Sequence, residues 1–362
     1  MKLQIPFKIL AFLLLLPLAV SANNTDIFLK STKEKKITKS YDVSSNATLK
    51  INNSYGNLDI VTWDQNRIEF DITIKVTGGN SDKVEERLDD ITVDFNDSGN
   101  VVSAVTRFGK RKNSWWNWSN RRNLKIEVNY RVKMPISNNV DLSNDYGAIN
   151  LSKLEGNAAI SCDYGKITTQ ELLGNSNTIS FDYSNNCYFE YINKGKISAD
   201  YSGFTIANAK SIDLKADYTK SIIENSENVT YQCDYGSLKI DNINNLEGVG
   251  DYLTLRLGTV YKNVQLQADY GSIKIERMAS KAGNLNLDTE FTGITIGIDQ
   301  NYNFDFDINL EYASLNHPES FTFTVKEKDN SDKTYKGYHV NSNSGNVVKI
   351  DSEYGSVTFK TN

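Results

Sequence analysis

The stretch Val264-Gln265-Leu266-Gln267-Ala268-Asp269-Tyr270-Gly271, followed by Ile273 and Ile275, decides the reading of the whole chain. Val264, Leu266 and Ala268 alternate with Gln265, Gln267 and Asp269, the period-two pattern of a half-buried strand. Tyr270 continues the apolar parity, so the alternation places it inside with Ala268. Ile273 and Ile275 then mark a second short strand.

The triplet at its centre recurs. Asp145-Tyr146-Gly147 and Asp163-Tyr164-Gly165 come first, then Asp182-Tyr183-Ser184, Asp200-Tyr201-Ser202 and Asp217-Tyr218-Thr219. Asp234-Tyr235-Gly236, Asp251-Tyr252-Leu253 and Asp269-Tyr270-Gly271 continue the series. Glu290-Phe291-Thr292, Glu311-Tyr312-Ala313 and Glu353-Tyr354-Gly355 are looser copies. The aromatic residues are spaced by 17 to 21 positions, except for a last gap of 42, which predicts a hidden or expanded coil. Such a period is too short for an αβ repeat or a propeller blade. It suits one turn of a β-helix, whose coils bury their apolar faces only by stacking. The fold class is therefore all-β: a single-stranded β-helix or solenoid of 17–21-residue coils. Eleven coils at a strand spacing of roughly 4.8 Å make a rod about 50 Å long.

Within each coil the sequence assigns roles. Tyr is expected to stack on Tyr in the interior, Gly to turn the corner, and the acid to face water. A small residue often precedes the acid (Cys162, Ala199, Ala216, Cys233, Gly250, Ala268), forming a column where the interior is narrow. Carboxylates one strand apart repel by roughly 1 kcal/mol per neighbour even in bulk water. The acid column reads as a solvated face or as a divalent-cation strip, without the clustered ligands of a calcium loop. Polar turns such as Glu155-Gly156-Asn157 close the coils.

The first 22 residues read as a secretory signal: Lys2 and Lys8, the apolar run Ile9–Val20, and the small residues Ser21 and Ala22. A Sec-type signal places the mature chain in the periplasm, on the outer surface or outside the cell, with no membrane span after cleavage. Removing Lys2 and Lys8 shifts the formal charge from −5 to −7, which argues against nucleic acid as a partner. Three cysteines are an odd number. Cys162 and Cys233 would lie four coils apart, roughly 19 Å, beyond disulfide reach. Both read as small buried residues, and Cys187 as a turn residue with a free thiol.

Residues 23–37 read as a flexible segment, 38–135 as a β-rich N-terminal cap and 136–362 as the solenoid proper. In the cap, Asn53-Ser54-Tyr55-Gly56 is an early triplet and Ile68–Val76 an alternating strand. Ser81–Asp90 is the single short helix, with Ser81 as its cap and Val84, Leu88 and Ile91 on one face. Near the far end, Phe321–Val325 and Tyr335–Val340 predict a hairpin that covers the open edge, and Val347–Phe359 a final coil.

Between the cap strands lies Arg107 to Arg122, RFGKRKNSWWNWSNRR, with three of the chain's four tryptophans. Trp115, Trp116 and Trp118 sit among Arg111, Arg121 and Arg122. One reading is an aromatic-basic contact patch for a glycan, an envelope protein or an anionic surface. The other is a loop folded back over a solenoid edge. Nothing in the sequence marks a catalytic, cofactor or metal site: His317 and His339 are the only histidines, and no zinc spacing, nucleophile elbow or phosphate loop appears.

The opening Ser54-Tyr55-Gly56-Asn57-Leu58-Asp59-Ile60, the helix, Val128-Asn129-Tyr130-Arg131-Val132-Lys133-Met134-Pro135 and the iterated triplets together resemble the bacterial putative-adhesin family. The resemblance runs from about Ile37 to the end. It implies a secreted or envelope protein with β-helical repeats and brings no catalytic residues. The expected function is a non-enzymatic adhesin-like binding protein. The alternatives are a self-assembling envelope element and a polysaccharide-processing β-helix enzyme.

Overall fold

The computed structural model describes residues 30–109 and 124–361. Within them the chain forms one 27-stranded, mostly parallel sheet and one short helix, consistent with a β-solenoid. It opens with β1 (Ser31–Asp42), β2 (Thr48–Ser54), β3 (Leu58–Trp63) and β4 (Arg67–Gly78). Then come α1 (Ser81–Asp89), β5 (Ile91–Ser98), β6 (Val101–Phe108), β7 (Lys125–Pro135), β8 (Asn139–Asp145) and β9 (Ala148–Leu151).

The strands β2 and β3 flank the first triplet, and β8 and β9 flank the second. They pair in parallel, β2 with β8 and β3 with β9. Every later coil repeats this arrangement, one strand before the triplet and one after. Strand Ala158–Asp163 lies on β8 with Asp163 opposite Asp145, and Lys166–Leu172 lies on β9. Like residues then face like: Asp200 opposite Asp217, Asp217 opposite Asp234, Asp269 opposite Glu290. Four strands, such as Gly203–Asp217, run on through the corner opposite the triplet and serve both faces.

The inward positions match the alternation. Ile160, Leu214, Leu266, Ile273 and Ile275 are buried, as is the small-residue column of Cys162, Ala199, Ala216, Cys233 and Ala268. Cys187 is also buried and unpaired, but it opens a strand rather than lying in a turn, and its sulfur accepts the Ile167 N–H at 3.3 Å. Tyr231 enters this interior too. Its room comes from Gly248 in the next coil, where a Cβ would lie 2.1 Å from the ring. The Tyr231 hydroxyl is buried with no hydrogen-bond partner among the protein atoms. Tyr231→Phe removes that unpaired group at constant shape. We expect a gain of about 1 kcal/mol, read as a raised urea midpoint.

At the N-terminal end the two faces continue into different layers. Beyond β2 come β6 and then β5; beyond β3 come β7, β4 and β1. The helix α1 packs on β4 and β1, and Val84 and Leu88 join the core. Its cap is Asn80, not Ser81: the Asn80 side chain accepts the Lys83 N–H at 2.9 Å. Residues 31–37, expected to be flexible, are strand, because β1 pairs with β4 from Ser31 to Asp42. The outermost strand carries Lys33, Lys35, Lys36 and Lys39, charges that discourage pairing with other chains.

At the far end the spatial order departs from the chain order. The strand Val347–Glu353 lies between Leu285–Glu290 and Phe304–Glu311 and is parallel to both. The strand Val357–Thr361 likewise bridges Gly293–Ile298 and Leu315–Asn316. The long gap before Tyr354 therefore holds no hidden coil. The chain skips one rung, builds the hairpin Phe321–Asp329 and Asp332–His339 over the end, and returns to fill the vacancy. The hairpin strand Asp332–His339 pairs antiparallel with Phe304–Glu311.

Candidate functional site

The interior position expected for the triplet tyrosines is wrong. Tyr55, Tyr146, Tyr164, Tyr183, Tyr201, Tyr218, Tyr235, Tyr252, Tyr270, Phe291, Tyr312 and Tyr354 are all 44–60% exposed. Each has φ between 48° and 62°, the left-handed region. That dihedral is where the strand alternation fails. A left-handed residue swings its side chain to the opposite side, so the parity carried from Ala268 to Tyr270 inverts. The backbone here is anchored on both sides: the Tyr164 N–H donates to the Asp182 carbonyl at 3.0 Å, and the same bond recurs rung after rung.

The exposed rings form one ladder. Neighbouring centroids are 4.7–5.3 Å apart and the planes agree within 9°, from Tyr55 on Tyr146 through Phe291 on Tyr354 to Tyr354 on Tyr312. At the first rung, Phe108 meets Tyr55 edge-on at 5.6 Å. The row extends for about 50 Å at the spacing of parallel strands.

Glycine after the tyrosine serves close approach rather than a left-handed turn. A Cβ at Gly147 would lie 1.9 Å from the Gly56 carbonyl oxygen, and one at Gly165 would lie 2.1 Å from that of Gly147. Where the position is Ser or Thr, a buried hydroxyl enters the backbone ladder. The Ser184 hydroxyl accepts the Gly165 N–H at 3.0 Å and donates to the Asp182 carbonyl; Ser202 and Thr219 repeat the pattern.

Beside the rings runs the acid row. It is half-buried from Asp145 to Asp234 and at Asp269 and Glu311, and exposed at Asp251, Glu290 and Glu353, and several of its carboxylates tie one rung to the next. Asp163 Oδ1 accepts the Asp182 N–H at 3.1 Å, Asp182 Oδ1 accepts from Asp200, and Asp200 Oδ1 from Asp217. Asp217, Asp234 and Asp269 accept in the same way. Burial, then the charge on Asp163, raises the Asp145 carboxyl above its ordinary range. Burial and the flanking acids do the same at Asp251 and, against the hydrogen bond from Asp200, at Asp182. Partial burial, then neighbouring phenols and carboxylates, raise the Tyr164, Tyr201 and Tyr235 phenols.

This stress has a pH signature. Because the Asp182 carboxyl is raised in the folded state, its ionised form destabilises the fold at neutral pH. That penalty fades as pH falls through the raised value and is gone below the unfolded one, roughly pH 4. Asp182→Asn keeps an acceptor and removes the charge. We expect it to stabilise the protein by about 0.5 kcal/mol at pH 7, after solvent screening, and to be neutral at pH 3. Thermal melts of both proteins at the two pH values check this; equal midpoints at pH 7 would refute it.

The tryptophan-basic segment, including Arg111, Trp115, Trp116, Trp118, Arg121 and Arg122, lies outside the described residues. Its flanks are described: Phe108 ends β6 against the first ladder rung, and Arg107 pairs with Asp94 at 3.1 Å. The two histidines belong to the far cap. His339 is buried with Nδ1 2.6 Å from the Tyr302 carbonyl, and His317 packs on Phe323. On the solvent side of the N-terminal cap a shallow hollow of about 590 Å³ is lined by Val61, Glu69, Asp71, Arg131 and Lys133 among others. No group of three His, Cys, Asp or Glu side chains among the described residues is placed to hold a metal ion.

The chain is similar in structure to bacterial putative adhesins. A putative adhesin from Parabacteroides merdae matches over 72% of this chain and 96% of its own, at 11% identity and a TM-score of 0.38. One from Bacteroides fragilis matches over 72% and 97%, at 13% identity and a TM-score of 0.33. A putative cell adhesion protein from Clostridium sporogenes covers 91% of this chain and all of its own, at 11% identity and a TM-score of 0.21. The sequence matches no family model and no curated protein.

Sequence reading found the ladder residues and the acid row, and put the rings on the wrong side. The signal it lacked was the backbone dihedral. The recurrence of a single polar-edged aromatic type, Tyr rather than Leu or Ile, was the available hint of a wet position.

Proposed function

We propose that this protein is a non-enzymatic, exported, adhesin-like binding protein of the cell envelope or its surroundings, whose rigid solenoid presents the aromatic-acid strip to a partner. One observation supports this most: a continuous row of exposed rings runs the length of the stack, with no metal-binding cluster among the described residues. Scattered exposed aromatics need no explanation, but a contiguous row of this length marks an interaction surface. The coil period of 17–21 residues belongs to this reading, since it keeps the coils too lean to wall an active-site cleft.

The segment with Trp115, Trp116, Trp118, Arg111, Arg121 and Arg122 is proposed as a second contact, whose partner is a surface glycan or an envelope protein. Phe108, in the strand that precedes it in the chain, lies against the first rung. A labelled mature chain, residues 23–362, tested on intact bacterial and host cells by flow cytometry provides the check. Tyr201→Asn, Tyr218→Asn and Tyr235→Asn together interrupt the row, with Asn chosen because it tolerates left-handed backbone. Cell binding should fall at least tenfold for this variant and fall further with Trp115→Ala, Trp116→Ala and Trp118→Ala. Folded variants that bind as well as the parent would sink the assignment.

A further inference from the structure

The faces of the ladder rings are closed. With centroids 4.7–5.3 Å apart and planes within 9°, each ring covers both faces of its neighbours, so only edges and hydroxyls reach solvent. Sugar rings and other groups that stack on an open aromatic face have no platform between the ends of the row. What the row offers instead is a track of ring edges and phenol hydroxyls. The partner that fits such edges is a flat ring system laid across several of them, burying apolar surface at every rung.

The flanks narrow the partner further. On one side the residue after each triplet is small at Ala148, Gly203, Ser237, Thr254, Ser272 and Gly293, and is Lys166, Asn185 and Lys220 at three other rungs, so an unbroken stretch of the track with small flanks runs from Tyr235 to Phe291. On the other side runs the acid row, one acid immediately before each ring in the chain from Tyr146 onward and paired in register with the acid of the next rung. A cation lying on the track would relieve the repulsion between neighbouring acids, whereas an anion would add to it.

We propose that the ladder is a binding track for flat, elongated aromatic cations, held with their long axis parallel to the solenoid and spanning three or more rungs. This rests on the reading of the strip as the binding surface and gives that surface a ligand class.

The probe is thioflavin T, a planar benzothiazole cation, titrated into the full mature chain. Saturable binding with a fluorescence rise is expected, weakening as salt increases. The Tyr201→Asn, Tyr218→Asn, Tyr235→Asn variant should bind at least tenfold more weakly, and Tyr→Phe at the same three positions within threefold of the parent. Asp200→Asn, Asp217→Asn and Asp234→Asn together should weaken binding severalfold and flatten the salt dependence. The anionic dye anilinonaphthalene sulfonate should bind at least tenfold more weakly than thioflavin T. Equal binding of the two dyes, or binding that survives ladder interruption in a variant with parental circular dichroism, overturns the proposal. No dye binding, alongside cell binding that still depends on the ladder, overturns the ligand class alone. Loss of ladder dependence in both assays overturns the class and the binding surface together.

Discussion

Gly147→Ala is expected to destabilise the protein by about 3 kcal/mol, one of the largest effects of any single methyl group in the chain. The added Cβ would sit 1.9 Å from the Gly56 carbonyl oxygen and 2.7 Å from the carbonyl carbon. These are backbone atoms of the neighbouring rung, and Gly56 is itself pressed against Val128: a Cβ on it would lie 2.0 Å from the Val128 oxygen. Neither strand can yield without breaking the parallel pairing of β2 with β8 and β3 with β9. The strain therefore falls where the cap joins the solenoid. A control separates this from a general cost of alanine: a Cβ at Gly293 meets nothing within 4 Å. Gly293→Ala should leave the urea midpoint within about 0.5 kcal/mol of the parent. Equal midpoints for the two variants would mean that close approach is not what the glycine provides.

Deleting residues 347–362 should do far more than shorten the rod. In a solenoid built in chain order, loss of the last coil removes one end layer. Here it removes an internal rung, because Val347–Glu353 and Val357–Thr361 separate Leu285–Glu290 and Gly293–Ile298 from the terminal strands. Val348, Ile350, Val357 and Phe359 leave the core. Four buried apolar side chains at roughly 1.5–3 kcal/mol each represent about as much as a whole domain has in reserve. Phe304–Glu311 and the hairpin lose their attachment, and the edge of Leu285–Glu290 opens to other chains. The truncated protein should lose its C-terminal protection against hydrogen exchange and associate as its concentration rises. A peptide of residues 347–362 should restore a monomer. A truncated chain that stays monomeric with parental exchange protection would show that the inserted rung is dispensable.

Much of this was legible in the residues. The triplet series, the small column before the acid, the single helix and the terminal hairpin follow from periodicity and turn chemistry, which act over a few residues. Two features were not. The side of Tyr270 was extrapolated from the alternation of Val264, Leu266 and Ala268, and alternation holds only while φ stays in the β region; one left-handed residue reverses it. The place of Tyr354 was extrapolated from chain order. A hairpin of some twenty residues intervenes, and the strand that follows returns to the edge still unpaired. The acid row was half legible: the repulsion was evident, but the bond from each carboxylate to the next rung's N–H depends on register that only the stacked backbone shows.

The left-handed tyrosine also acts as a timing mark. Between rungs that touch in space the chain travels 17 residues from Tyr201 to Tyr218, 21 from Tyr270 to Phe291 and 91 from Tyr55 to Tyr146. Each excursion, whatever its length, re-enters at the same phase, with the next ring parallel to the last. A residue gained or lost in the opposite turn is thereby cancelled before the following strand begins. The fold corrects spacing errors once per coil, and a protein built this way can drift in sequence between its marks while its outer row stays straight.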